Sequence, residues 1–221
     1  MLSALVGLLP LLTPLGGASA AAPTLYVSPA SPSTLVNSEL TVDLMADCGT
    51  NADGVSLVVS FDPRLLQVQE VIADVSAFRN TLLKTTDNTL GRVYYDAGAL
   101  TCHQDGDCPS GLVRVAQVTF QAVAAAGTPT ALGLTGKLTW GGSYVFSGTG
   151  TGSAVTIRLR GDVDVDCDVD VADMMLVAQV WDTHAGAPGF VAAYDADANG
   201  EIDILDIMNV AIYWGDACLL P

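Results

Sequence analysis

Residues 162–181 read DVDVDCDVDVADMMLVAQVW, and residues 195–214 read DADANGEIDILDIMNVAIYW. A shift of 33 residues aligns the two stretches, with acidic or amide side chains alternating through the first half of each. In the second half, apolar residues recur three and four positions apart, which is the spacing of one face of an α-helix. The repeat therefore predicts two units, each a polar loop followed by an amphipathic helix.

Each loop has the ligand spacing of an EF-hand-type calcium loop. Oxygen-bearing side chains occupy positions 1, 3, 5, 9 and 12 and converge on one ion, while position 7 supplies a backbone carbonyl. With position 7 included, the candidate ligands are Asp162, Asp164, Asp166, Asp168, Asp170 and Asp173 in the first loop and Asp195, Asp197, Asn199, Glu201, Asp203 and Asp206 in the second. Zinc prefers thiolate or imidazole, but His103 and His184 lie at unrelated positions. The loops therefore predict two bound calcium ions.

Two further loop positions bear on how each loop closes. Position 6, where glycine makes the sharp turn of such a loop, is Gly200 in the second loop but Cys167 in the first. Cysteine is strained by about 1 to 2 kcal/mol if the position needs a left-handed backbone. Position 8 is apolar in both loops, Val169 and Ile202, and is expected to pack the loops together. No helical pattern precedes either loop, so each unit is predicted to be loop–helix.

The long region before the repeat alternates apolar and polar residues in short runs. Val55, Leu57 and Val59, for example, form one side of a run that stops at Asp62-Pro63. Such alternation places one side of a strand against a core. Strands are predicted near residues 25–28, 39–44, 55–61, 92–95, 112–123, 132–140 and 154–159, with 63–78 ambiguous between strand and helical turn. The pattern predicts a mainly β protein, an all-β sandwich or barrel.

Three segments of this region resemble a cohesin domain. They are ELTVD at 39–43, DGVSLVVSFDPRLLQV at 53–68 and VRVAQVTFQA at 113–122. The resemblance covers about residues 25–159 and implies a jelly-roll-like β-sandwich that holds a dockerin domain on one sheet face. Related carbohydrate-binding sandwiches share part of the pattern, so a carbohydrate-binding sandwich is the alternative. Its candidate sugar-stacking rings are Trp140, Tyr144, Tyr94 and Tyr95, of which the adjacent tyrosines must point to opposite faces of a strand.

The paired loop–helix units resemble a type I dockerin domain from Gly161 to about Gly215. The resemblance implies that loop positions 10 and 11 contact the partner. In this chain these positions are Val171, Ala172, Ile204 and Leu205. Apolar residues repeated with approximate two-fold symmetry form a patch suited to a protein partner, and packing on the sandwich of the same chain is the alternative.

Together the resemblances imply a cellulosome-type scaffold protein, with a cohesin-like or carbohydrate-binding-like sandwich at 24–160 and a dockerin-like module at 161–218. A signal peptide at 1–20 is predicted from its own sequence pattern. The expected partners are cohesin- or dockerin-bearing proteins, with polysaccharide as a further candidate, and the expected role is assembly linked to polysaccharide catabolism. Essentially no linker separates the sandwich and the module, so self-association is expected to run head to tail between molecules.

The first twenty residues predict export. An apolar run from Leu5 to Leu15 is followed by Ala18-Ser19-Ala20, the small-x-small pattern of a signal peptidase site. The run is interrupted by Pro10 and Pro14 and is shorter than a membrane span, and no other stretch is apolar enough to cross a bilayer. The protein is therefore predicted to be secreted, without a membrane span.

Five cysteines in an exported chain predict disulfides, and the odd number leaves at least one unpaired within the monomer. Cys102 and Cys108 flank a Gln-Asp-Gly-Asp turn and are expected to pair, which leaves Cys48 free. Pairing of Cys48 with either of them is the alternative. The dockerin resemblance implies antiparallel packing of the two units, which places Cys167 near Cys218 and predicts a second bridge.

The composition excludes other classes of function. The chain has 24 acidic and 8 basic residues, a net charge of -16, so it lacks the clustered bases that bind nucleic acid. Residues 161–221 hold 13 of the acids and none of the bases. A nucleophilic triad needs a base beside Ser or Cys, and the only histidines are His103, in the expected surface hairpin at Cys102–Cys108, and His184, in a Gly/Pro-rich linker. Most carboxylates are already assigned to the calcium loops. We therefore predict that the protein is not an enzyme.

Overall fold

The computed structural model describes residues 22–219, so the predicted signal peptide at 1–20 lies outside the described residues. The strands are β1 (Thr24–Ser28), β2 (Ser33–Leu35), β3 (Glu39–Asp47), β4 (Gly54–Ser60), β5 (Leu66–Ala73), β6 (Asn80–Asp87), β7 (Arg92–Gly98), β8 (Leu112–Ala122), β9 (Thr130–Trp140), β10 (Ser143–Thr149), β11 (Ser153–Arg158), β12 (Thr183–His184) and β13 (Glu201–Ile202). The helices are α1 (Cys102–Asp105), α2 (Val171–Gln179) and α3 (Ile204–Ile212).

The first eleven strands form two sheets. One sheet has the order β1-β3-β8-β5, and the other has the order β2-β11-β9-β4-β7-β6, with β10 also paired to β9. The pairs are antiparallel except β2 with β11, which is parallel. The sheets share one apolar core, so they form a β-sandwich. The predicted fold class, a mainly β sandwich followed by a small helical module, is confirmed.

Alternating residues of the strands form the core between the sheets. Val55, Leu57 and Val59 of β4 are at most 4% exposed, and Leu44 of β3 in the opposite sheet is fully buried. Each such side chain removed from water stabilises the fold by about 1.5 to 3 kcal/mol. On β7, Tyr95 is buried and Tyr94 is exposed, as the alternation predicted. The apolar residues at every second position of the strands therefore form the inner faces of the sandwich.

Five strands, β2, β6, β10, β12 and β13, were not predicted, and one loop was predicted wrongly. Nearly every side chain of β6 is exposed, since it is an edge strand held by hydrogen bonds to β7. Most of β10 is likewise exposed. The expected surface hairpin at Cys102–Cys108 contains the short helix α1, because the chain turns through 102–105 with i→i+4 bonds that end at Gly106. The ambiguous stretch 63–78 forms strand β5 and then a turn.

The helical module follows β11 directly and contacts the end of the sandwich. The core of the module, which includes Val177 and Val210, belongs to the same buried cluster as the core of the sandwich. The chain also returns to the sandwich after α3, where the Leu219 N–H donates to the Ala125 carbonyl at 2.8 Å. The module therefore touches the sandwich through both of its ends.

Candidate metal centre

The first acidic loop is folded by its own carboxylates. Asp162 Oδ1 accepts a hydrogen bond from the Asp166 N–H at 3.1 Å, and Asp162 Oδ2 accepts one from the Cys167 N–H at 3.2 Å. Asp166 Oδ1 accepts from the Asp168 N–H at 3.1 Å. The resulting turns bring carboxylate oxygens of Asp162, Asp164 and Asp166 within 4.8 Å of one another. Positions 1, 3 and 5 of the predicted ligand set therefore converge.

The second loop repeats this geometry. Asp195 accepts from the Asn199 N–H at 3.1 Å and from the Gly200 N–H at 2.9 Å, and Asn199 Oδ1 accepts from the Glu201 N–H at 2.7 Å. These bonds are the counterparts of those in the first loop after the shift of 33 residues. Oxygens of Asp195, Asp197 and Asp206 lie within 4.8 Å of one another. Positions 1, 3 and 12 of this loop therefore converge.

The position-12 aspartates are the most buried acidic residues of the module. Asp173 is 1% exposed and Asp206 is fully buried. Oδ1 of Asp173 accepts from the Val163 N–H at 2.6 Å, and its Oδ2 accepts from the Asp170 N–H at 2.8 Å. The position-9 and position-12 aspartates form a capping box at the start of α2, and the equivalent pair does so at α3. Each helix therefore begins at its loop's last ligands, where the helix dipole favours negative charge.

Positions 7, 9 and 12 of the first loop form a second acidic group, separate from that of positions 1, 3 and 5. Oxygens of Asp168, Asp170 and Asp173 lie within 4.8 Å of one another. The charge of Asp166, followed by burial and further aspartates, raises the pKa of Asp168. Burial raises the pKa of Asp162, although backbone hydrogen bonds oppose it. Because residues 161–221 have no lysine or arginine, this repulsion has no local basic partner. A divalent cation would remove it.

The side chains of both loops fit calcium. Every donor in the three converging groups is an aspartate oxygen, and hard oxygen donors suit calcium rather than zinc. In a twelve-residue loop the position-7 residue contributes its carbonyl, so the side chains of Asp168 and Glu201 remain free to add negative charge.

Two positions in each loop have a left-handed backbone. At position 4, φ is 64° for Val165 and 59° for Ala198, and at position 6 it is 80° for Cys167 and 88° for Gly200. The first loop thus places a branched residue and a cysteine in a conformation that favours glycine, at a cost of about 1 to 2 kcal/mol each. Cys167 therefore has the left-handed backbone that would strain a cysteine, as considered in the sequence analysis. The left-handed backbone of Val165 was not predicted.

The two loop–helix units are joined to each other by backbone pairing. The position-8 residue of the first loop, Val169, exchanges hydrogen bonds with Gly215 and Asp216, which follow α3. The position-8 residue of the second loop, Ile202, lies beside Thr183, which follows α2, in the β12–β13 pair. Each loop is therefore paired with the segment that follows the helix of the other unit. Both position-8 side chains are buried in the common core.

Two disulfides occur in the structure, in the expected pairs Cys102–Cys108 and Cys167–Cys218. Cys48 lies outside a disulfide and is buried, so the alternative pairings of Cys48 are not adopted. Burial, together with the neighbouring Asp47 charge, raises the pKa of the Cys48 thiol to about 12. A thiol that stays protonated in this way is a poor nucleophile.

The predicted partner-contact residues lie at the start of α2 and α3. Val171, Ile204 and Leu205 are 53%, 52% and 48% exposed, and Ala172 is half-buried. One turn further along each helix, Met175 and Met208 are also exposed, so that the apolar patch extends along both helices. These exposures mean that Val171, Ile204 and Leu205 are not covered by the sandwich of the same chain.

The aromatic residues proposed as a sugar platform differ in exposure and in their neighbours. Tyr95 is in the core, and Tyr144 is exposed with the Lys137 ammonium 4.9 Å from its ring centre. The ring of His103 stacks on that of Trp140 with the ring centres 4.4 Å apart, which covers one face of the indole. Tyr94 and Tyr144 are therefore the exposed members of the predicted set, at 38% and 63%.

Within residues 22–219, helices long and apolar enough to cross a membrane are absent.

The comparisons with known proteins match the two parts of the chain separately. Residues 160–213 match the family model of the dockerin type I domain. The sandwich is similar to CaCohA2 from Clostridium acetobutylicum, crystallised with CaDoc0917, at a TM-score of 0.52 and 14% identity over 62% of this chain and 99% of that chain. No curated protein sequence matches the chain.

Two cohesins of Acetivibrio cellulolyticus are similar to the same extent. The third cohesin of ScaC, in complex with the ScaB dockerin, has a TM-score of 0.51 and 12% identity, with 62% of this chain and 99% of that chain covered. The sixth cohesin of scaffoldin B, in complex with a Cel5 dockerin, has a TM-score of 0.52 and 14% identity, with 62% and 100% covered. The likenesses establish the cohesin fold of the sandwich, and the predicted resemblances to a cohesin and to a type I dockerin are confirmed.

Proposed function

We propose that this protein is a secreted, non-catalytic assembly protein that makes calcium-dependent cohesin–dockerin interactions in a system that degrades polysaccharide. The observation that carries the proposal is the repeated unit at the start of α2 and α3. In each unit, carboxylates that suit calcium end in a capping box, and exposed apolar residues stand on the adjacent turn.

Calcium would act on the patch through the backbone. The position-9 and position-12 aspartates hold the first turn of each helix, and the apolar residues at positions 10 and 11 lie between them in sequence. One ion in each loop would neutralise the repulsion and fix that turn. The partner surface would then exist only in the calcium-bound module. The calcium ligands would therefore support partner binding by holding the first turn of each helix.

The proposed partner of the module is a cohesin-bearing protein. The supporting observation is that Val171, Ile204 and Leu205 remain about half exposed although the module contacts its own sandwich. A patch of this kind, repeated with approximate two-fold symmetry, suits a protein surface better than solvent.

The sandwich would in turn receive a dockerin-bearing protein on a sheet face. On the outer face of the larger sheet, Tyr94, Val58 and Thr135 line up across β7, β4 and β9, and Lys137 belongs to the next row. Tyr94 and Thr135 are exposed on this face and would be available to another module. The burial of Tyr95 and the cover of one face of Trp140 by His103 favour protein docking over the carbohydrate-binding alternative.

Association between copies of this chain would run head to tail. Gly161 follows β11 closely, and Leu219 is hydrogen-bonded to Ala125 of the sandwich, so the module has little freedom to turn towards its own outer sheet face. A patch on one molecule and a sheet face on the next would give an open chain rather than a closed dimer.

Calcium-dependent capture tests the proposal. The full-length secreted chain, immobilised in calcium, is expected to retain a cohesin-bearing protein from the culture medium of the native organism and to release it with chelator. Ala172→Asp combined with Leu205→Asp is expected to reduce capture at least tenfold, since two charges would be buried in the interface. The matched control is Thr149→Asp, an exposed change on β10.

Two results would contradict the proposal. Retention that is the same in calcium and in chelator would exclude the calcium dependence. Capture that survives the double substitution, in a variant that still binds calcium, would place the interface elsewhere.

A further inference from the structure

The two loops make the same backbone contact at position 6 with different side chains. The Cys167 carbonyl accepts from the Cys218 N–H at 2.9 Å, and the Gly200 carbonyl accepts from the Ala185 N–H at 2.8 Å. A β-carbon placed on Gly200 would lie 3.8 Å from the β-carbon of Ala185. The first loop therefore has a covalent bond at the place where the second has a glycine beside an alanine.

The conformation of Cys167 matters for the first ligand of its loop. At φ 80° its N–H points to Asp162 Oδ2, 3.2 Å away. An L-residue without other constraint prefers a negative φ, and a change of sign would remove this N–H from Asp162. Gly200 holds the equivalent bond to Asp195 at 2.9 Å without that penalty. The first loop consequently needs an additional constraint that the second does not.

The disulfide supplies this constraint from an anchored segment. Cys218 lies next to residues that pair with the loop, because the Val169 N–H donates to the Asp216 carbonyl at 3.0 Å. The following residue, Leu219, donates to Ala125 of the sandwich. A bond from Cys167 to this segment therefore holds position 6 against a fixed neighbour.

We propose that the Cys167–Cys218 disulfide is the positioning element that sets the calcium affinity of the first loop, so that this affinity depends on thiol oxidation while that of the second loop does not. The inference rests on the calcium binding proposed above. A left-handed cysteine costs enough that opening the bond is expected to weaken the first site about tenfold. Reduction by a dithiol transfers two electrons and two protons, leaving two protein thiols and the cyclic disulfide of the reductant.

Linkage makes the effect reciprocal. If the bond tightens calcium binding about tenfold, calcium must stabilise the bond against the dithiol by the same factor. The second bridge of the chain, Cys102–Cys108, lies in the sandwich and is an internal control for general effects of reduction. Equilibration of the unmodified full chain with reduced and oxidised dithiothreitol, with and without calcium, measures both bridges at once by mass mapping of trapped thiols.

The expected result is an approximately tenfold shift of the Cys167–Cys218 equilibrium towards the disulfide in calcium, with the Cys102–Cys108 equilibrium unchanged. An unchanged Cys167–Cys218 equilibrium in a chain that binds calcium would overturn the inference. Absence of calcium binding to the oxidised chain at either loop would instead overturn the proposed calcium function. The two failures are therefore distinguishable.

Variants separate positioning from simple cross-linking. Calcium titration against a chelating dye is made in the full chain with the second loop disabled by Asp195→Asn and Asp197→Asn. Cys218→Ala is expected to weaken the first loop about tenfold, whereas adding Cys167→Gly recreates the Gly200–Ala185 pair and is expected to restore affinity to within about twofold. A double variant as weak as Cys218→Ala would overturn the positioning role.

Discussion

At the scale of single residues, Asp53 shows how one carboxylate joins three segments of the sandwich. Its Oδ1 accepts from the Thr139 hydroxyl at 2.8 Å, and its Oδ2 accepts from the Gly141 N–H at 2.7 Å and lies 2.9 Å from His103 Nε2. Burial by itself would raise the pKa of Asp53, but these hydrogen bonds outweigh it and lower the pKa below the ordinary value of 3.8. The ionised carboxylate therefore stabilises the fold.

The lowered pKa of Asp53 in the folded protein makes the stability depend on pH. A carboxyl group with a lowered folded-state pKa contributes stability above its unfolded-state pKa, and the contribution is lost as pH falls through the folded-state pKa. Asp53→Asn is expected to lower the free energy of unfolding by about 1 to 2 kcal/mol near neutral pH, because hydrogen bonds to a charged acceptor are lost. The difference from wild type is expected to shrink in acid below pH 3.8.

Urea unfolding in chelator, at neutral pH and in acid, measures this difference. Thr135→Ala, an exposed change on β9, serves as the control and is expected to cost less than about 0.5 kcal/mol. A difference for Asp53→Asn that is equally large at both pH values would show that its charge does not stabilise the fold.

At the scale of secondary-structure elements, α2 and α3 are short helices whose first turns depend on acidic loops. Each has nine residues, fewer than an isolated helix needs to be stable in water, so each relies on its capping box and on packing. Thirteen acidic residues without a local base oppose that packing when no metal is bound. Two calcium ions would change the formal charge of residues 161–221 from -13 to -9.

Calcium is therefore expected to slow amide hydrogen exchange in α2 and α3. The expected effect is at least tenfold, since the ions replace repulsion by ligation at both helix starts. Strand β8, central in the smaller sheet, is the control and is expected to keep its exchange rates. Equal exchange of the helices in calcium and in chelator would exclude calcium-driven ordering of the module.

At the scale of the whole molecule, Gly161 is the residue at which the chain passes from the sandwich into the module, where it packs against other residues of the module. Its φ is 87°, and a β-carbon there would lie 3.2 Å from Val169 Cγ1 and 3.3 Å from both Tyr213 Cβ and the Val210 carbonyl oxygen. Gly215 has a similar φ of 85°, but a β-carbon there would meet no atom within 4 Å. The two glycines therefore share a backbone requirement and differ in their surroundings.

Gly161→Ala is expected to destabilise the module by about 1 to 3 kcal/mol, because the left-handed backbone cost and the close contacts both apply. Gly215→Ala, the matched control, is expected to cost about 1 kcal/mol from the backbone alone. Thermal unfolding of the calcium-bound full chain measures both. Equal losses for the two variants would mean that the contacts around Gly161 relax freely.

The sequence by itself determined the features that depend on near neighbours. Ligand spacing within twelve residues, the helical stripe after each loop and the two-residue period of the core strands are consequences of local backbone geometry. The unusual residue at position 6, Cys167, was visible for the same reason. Edge strands such as β6 were not, since an exposed strand needs no alternation of apolar and polar residues.

Only the tertiary structure decided which distant segments meet. Two contacts join parts of the chain that are far apart in sequence: Val169 pairs with residues 215–216, and Leu219 contacts Ala125. The exposure of the apolar patch on α2 and α3 likewise depends on how the module packs. Backbone hydrogen bonds between such segments place almost no requirement on side-chain type. The sequence therefore contains the ligands and the core, while the closure of the first loop by an anchored disulfide depends on the folded arrangement.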